Sequence, residues 1–137
     1  MAEFVIDASS VLAFIFGEPG GSLVFDVARD GHLLISSVNL AEVLARMADK
    51  GIPLDAAAEI LSPLGMEEVA FDHAQAEVSA MLRATNSRSG LSLGDRCCLA
   101  LGLIKRRPIL TADRKWRDVA EAVGIEITIT RPIPLVH

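Results

Sequence analysis

The chain has 137 residues, 51% of them hydrophobic and 23% charged. That is enough for one domain with its own core, and too apolar for a disordered chain. A formal net charge of -5 argues against a surface that coats nucleic acid broadly. It does not exclude a nuclease, because a metal reverses the local field where the chemistry happens.

The elements alternate along the chain. Residues 4–6 are a short apolar run closed by Asp7, and 8–16 read as a helix stopped by Gly17 and Pro19. A helix is predicted over 22–29 before Gly31, a strand over 33–35, and a helix over 38–50 closed by Gly51. Further helices are predicted over 54–61 and 72–85, with a short strand near 69–71. A helix over 93–106 ends before Pro108, a strand covers 109–110, a helix 115–123 ends at Gly124, and a last strand covers 125–129. Apolar strand runs separated by helices argue for a parallel sheet covered on both faces. No repeat or linker breaks the pattern, so one domain over 1–137 is expected.

No apolar stretch is long enough to span a membrane. The opening MAEFVIDASSVLAFIF is apolar, but Asp7 interrupts it and no basic region precedes it, so it makes a poor signal peptide. Cys97 and Cys98 are adjacent, which disfavours a disulfide between them, and no other Cys or His stands at zinc-ligand spacing. Two reduced, buried thiols in a cytoplasmic protein are expected.

In open parallel sheets the functional site lies beyond the carboxyl ends of the strands. Acids collect at those positions here. Asp7 closes the first strand, Glu42 lies in the first turns of the helix after the second, Asp95 lies near the start of its helix, and Asp113 follows the fourth strand. Each has an ordinary structural explanation. Asp7 and Asp113 suit caps or turns, Asn39 and Glu42 have N-x-x-E spacing, and Ser92 and Asp95 match S-x-x-D. Capping, however, is served equally by Ser, Thr or Asn, and does not require an acid at all four places. Magnesium and manganese take oxygen ligands, and a cation among carboxylates relieves their repulsion and activates water at a scissile phosphate. One metal or two would fit this set.

The same residues carry a family resemblance. VIDASSVLAF resembles the opening of PIN domains, SSVNLAEVLAR the second block with its Glu, LSLGDRCCLALG the third, and ILTADRKW the fourth. The T-A-D-R-x-W string is typical of VapC-type members, and the blocks arrive in the family's order over nearly the whole chain. The resemblance implies a three-layer α/β/α fold around a five-stranded parallel sheet. It implies Mg2+- or Mn2+-dependent cleavage of RNA, leaving a 5′-phosphate and a 3′-hydroxyl, as the toxin of a toxin–antitoxin pair. It carries over Asp7, Glu42, Asp95 and Asp113 as the catalytic, metal-holding acids, with Ser9 and Thr111 as supporting hydroxyls. Asn39 stands where many members have Ser or Thr. The implied partners are RNA, a cognate antitoxin whose tail covers the acids, and a second copy in a homodimer; no membrane is implied. The early apolar run Val11, Leu12, Phe14, Ile15 and Phe16 suits a buried helix, and in the resembled toxins such helices also line an antitoxin groove.

Arg46, four residues after Glu42, is placed for a helical ion pair, with a phosphate contact as the alternative. Arg96, Arg114, Lys115 and Arg117 flank Asp95 and Asp113 and are the candidate grip on an RNA backbone or an antitoxin, against a solvated helix face. Sparse aromatics disfavour a base-stacking platform, and three scattered His give no His-based arrangement. Among rivals, a haloacid-dehalogenase-like phosphotransferase wants a second Asp where Ser9 stands. A receiver domain wants an acid pair and a late Lys that IEITITRP lacks. A PIN-like module that only binds partners remains distinguishable by assay.

Overall fold

Caps, glycines and apolar runs divide the described residues of a computed structural model, 2–85, 90–113 and 116–130, into five strands and seven α-helices. In order these are β1 (Glu3–Ile6), α1 (Ala8–Ile15), α2 (Gly21–Asp30), β2 (His32–Ser36), α3 (Ser37–Asp49), α4 (Leu54–Leu61), β3 (Glu67–Val69), α5 (His73–Thr85), α6 (Leu93–Lys105), β4 (Ile109–Thr111), α7 (Trp116–Val123) and β5 (Ile127–Ile129). Arg114 and Lys115 lie outside the described residues.

All strand pairs are parallel, in the order β3-β2-β1-β4-β5. Side chains alternate across a strand, so the apolar runs feed two cores. Ile6, Leu33, Ile35 and Leu110 pack with Val11, Val24, Val43 and Met47 from α1, α2 and α3. Val5, Leu34 and Ile109 pack with Leu82, Leu99, Leu101, Trp116 and Val119 from α5, α6 and α7. The result is the expected three-layer α/β/α arrangement. Cys97 and Cys98 are both buried and unbridged, and burial raises both thiol pKa values, that of Cys98 strongly.

Two strands differ from expectation. β3 occupies Glu67–Val69 rather than 69–71, because β2 pairs with Glu67 and Glu68 in register with Leu34 and Ile35. At a sheet edge, solvent-facing charge is tolerated and discourages further pairing, so hydrophobicity is a poor guide there. β5 starts at Ile127, two residues late. A 3-10 turn at Ser62–Leu64, around Pro63, follows α4.

The connections place the functional edge. From β1 the chain runs outward through β2 to β3, then crosses to β4 on the other flank of β1 and on to β5. The strand order therefore reverses between β1 and β4. At such a point the loops leaving the two carboxyl ends diverge and open a crevice.

Candidate active site at the carboxyl edge of the sheet

Asp7 follows β1 at this crevice and is buried, with 4% of its surface exposed. It is the N-cap of α1, its Oδ1 accepting from the Ser10 backbone N–H at 2.9 Å. Oδ2 accepts from Ser9 Oγ at 2.8 Å and from Thr111 Oγ1 at 2.6 Å. Both hydroxyls also receive backbone donors from the segment after β4. Ala112 N–H donates to Ser9 Oγ at 3.3 Å, and Asp113 N–H donates to Thr111 Oγ1 at 3.0 Å. Ser9 and Thr111 thus lock Asp7 to the chain that carries Asp113. Burial pushes the Asp7 carboxyl above its ordinary value, against the opposing pull of Thr111, Ser10 and Ser9.

Glu42 and Asp95 arrive from two helices. α3 is capped by Ser36, whose Oγ accepts from Val38 N–H at 3.2 Å. The helix therefore begins earlier than its N-x-x-E spacing suggests, and Asn39 is no cap. Its buried amide instead donates to Glu42 Oε1 at 2.9 Å and to the Gly94 carbonyl at 3.0 Å, tying α3 to the start of α6. Asp95 forms a reciprocal capping box with Ser92, accepting from Ser92 N–H at 3.0 Å while Ser92 Oγ accepts from Asp95 N–H at 3.1 Å. Asp95 and Asp113 are half-buried and Glu42 is exposed.

Asp7, Glu42, Asp95 and Asp113 line one cavity of about 260 Å³, together with Ser9, Leu12, Asn39 and Arg46. Thr111 stands behind Asp7. Arg46 is exposed and lines the cavity, and among the described residues it forms no ion pair with Glu42. The expected helical pair is absent: Oε1 of Glu42 is held by Asn39. Arg96 does not reach the cavity. One step around the helix from Asp95, it is buried against α5, with Nη1 donating to the Ser79 carbonyl at 3.4 Å and Nε without a partner. Arg117 is exposed on α7 and is not part of the lining. The N-x-x-E spacing of Asn39 and Glu42 suggests a cap; it instead brings the Asn39 amide to the Glu42 carboxylate through i, i+3 spacing on one helix.

The donor set suits a hard divalent cation. Four of the lining side chains are carboxylates, the oxygen ligands such an ion takes. Among the described residues no three His, Cys, Asp or Glu side chains converge closely enough to enclose an ion. Magnesium does not need such a cage, since it keeps several waters and uses one or two carboxylates directly. The site fits a cation held partly through its waters. Among the described residues, no helix is long and apolar enough to cross a membrane.

Comparison with known proteins agrees with the fold. The PIN domain profile matches residues 4–122. The fold resembles the DNA-bound VapBC from Salmonella typhimurium (20% identity, TM-score 0.74, covering 94% of this chain and 98% of that one). It also resembles a toxin–antitoxin complex from Klebsiella pneumoniae (17% identity, TM-score 0.74, 95% and 99%). A member of the VapBC family of toxin–antitoxin systems from Mycobacterium tuberculosis shares 25% identity at TM-score 0.63, over 94% and 99% of the two chains. No curated relative matches the sequence. The expected likeness to VapC-type toxins holds for the fold, and the chain belongs to the PIN-domain family.

Proposed function

We propose that the chain is a single-domain endoribonuclease dependent on Mg2+ or Mn2+, and the toxin of a VapBC-type toxin–antitoxin pair. The observation that carries this reading is the lining of one cavity by Asp7, Glu42, Asp95 and Asp113 where the strand order reverses. These four residues hold the ion, directly or through its waters. When bound, the ion neutralises charge on the scissile phosphate and lowers the pKa of a water. The chain's own groups supply position. Ser9 and Thr111 fix the Asp7 carboxylate through Oδ2, and the Ser10 N–H takes one lone pair of Oδ1, leaving the other for the cavity. The Ser92 cap occupies only Oδ2 of Asp95. Arg46 on the cavity wall offers the backbone contact that an acidic mouth needs to accept an RNA phosphate.

The partner side of the proposal rests on α1 and α2. Phe14 and Phe25 stack at 6.0 Å between centroids, and Phe16, Leu23 and Phe25 remain exposed nearby. Apolar surface of this kind suits the amphipathic segment of an antitoxin. A homodimer is part of the same reading, and light scattering of the purified chain checks it.

Incubation of the purified chain with total bacterial RNA tests the activity. Cleavage is expected with magnesium or manganese, none with chelator, and none from Asp95→Asn, because a neutral amide is a poorer ligand for a hard cation. Expression without an antitoxin is expected to arrest bacterial growth, and expression of Asp7→Asn is not. A parent chain that leaves RNA intact with either metal is a binding module instead.

A further inference from the structure

Asn39 and Gly94 are not acids, yet both touch Glu42. Asn39 is 1% exposed, and its Nδ2 donates at once to Glu42 Oε1 (2.9 Å) and to the Gly94 carbonyl (3.0 Å). Two acceptors around one atom fix the amide's orientation, since the flipped amide would set oxygen against oxygen. Oδ1 is thereby left buried, without a donor, in a residue that lines the cavity.

Gly94 completes the arrangement by what it lacks. A Cβ built there would lie 2.6 Å from Glu42 Cδ and 2.7 Å from Oε2. The Glu42 carboxylate thus fills the space a side chain at position 94 would take, and its amide tether ends on the carbonyl of that same residue. Glu42 is otherwise an exposed side chain on the surface of α3. Without a tether it would lose rotamer freedom each time it engaged a ligand.

We propose that Asn39 and Gly94 are positioning residues: they form a seat that holds the Glu42 carboxylate over the first turn of α6, beside Asp95. The inference rests on the metal-binding reading above. It concerns pre-organisation of one acid, not the identity of the acids.

Manganese titration calorimetry and thermal melts of the full chain test it. Gly94→Ala separates the seat from ordinary packing. Ala is a better helix former than Gly, and the colliding group is the movable end of a side chain, so the metal-free variant is expected to melt no lower than the parent. Its manganese affinity is nevertheless expected to fall about tenfold, the scale of losses when a group that orients a ligand is disturbed. Asn39→Ala should lose a similar factor. Either change added to Asp113→Asn should cost that factor again, whereas either added to Glu42→Gln should cost less than about twofold, because the seat then has no carboxylate to hold. Parent affinity in Gly94→Ala or Asn39→Ala, or full additivity with Glu42→Gln, overturns the seat alone. A parent chain that binds no manganese overturns the metal-binding reading and the seat with it.

Discussion

Asp7 caps α1 through one oxygen and takes two hydroxyl donors through the other, and Asp95 caps α6 while facing the same cavity. In the sequence, cap and site were alternatives for each acid. A carboxylate has about four lone-pair sites, enough for one group to serve both. The two roles separate by mutation. Ser92→Ala removes the hydroxyl cap of α6 and is expected to lower stability by about 1 kcal/mol, with or without metal, while RNA cleavage persists. Asp95→Asn is expected to abolish cleavage. Equal loss of cleavage in the two variants would make Asp95 a structural residue. Asp7 adds a pH signature. Burial raises its carboxyl above the ordinary 3.8 in the folded, metal-free chain, so the folded chain retains a proton that the unfolded chain releases. That group's contribution is fully present below the unfolded value and is lost as pH rises through the folded one. Urea midpoints in chelator should therefore fall for the parent relative to Asp7→Asn as pH rises above the ordinary 3.8. A rise of the parent relative to the variant contradicts this. The positions of the acids were legible because strand ends and helix starts were legible. The burial of Arg96 was not: it adjoins Asp95 in sequence, but a helix turns each residue about 100° from the last and carries it onto the α5 face.

Among the elements, the helices were legible to within a residue or two because their apolar stripes and closing glycines mark them. The least regular stretches were not, since an edge strand such as β3 owes its place to the register of its neighbour rather than to its own hydrophobicity. Close approach between elements was equally hidden. Gly21 opens α2 against the end of α1, where a Cβ would lie 2.5 Å from the Ala13 carbonyl oxygen and 2.9 Å from its carbon. These are backbone atoms and cannot swing aside. Gly21→Ala is expected to force α1 and α2 apart and cost roughly 1–3 kcal/mol, read as a lower melting temperature. Since neither helix end carries a cavity acid, cleavage per folded molecule should survive. An unchanged melting temperature would mean that the two helices have room to separate.

For the whole molecule, the reversal of strand order between β1 and β4 gathers acids more than a hundred residues apart in sequence, Asp7 and Asp113, around one crevice. The alternation of elements made the parallel sheet legible, but not the order of its strands, which depends on which flank of β1 each crossover takes. Strand order is what brings four scattered acids to one cavity. On the proposed reading a cation binds the folded state alone, and such a ligand stabilises it by RT ln(1 + [L]/Kd), about 2.7 kcal/mol at a hundredfold excess over Kd. Thermal melting of the parent chain in chelator and in millimolar manganese is therefore the most direct measurement of the central claim, that these acids form one cation site. For a domain of this size the melting temperature is expected to rise by roughly ten degrees at that excess, and the rise is expected to shrink in Asp7→Asn and Asp113→Asn. A parent melting temperature that is the same in chelator and in manganese would contradict it.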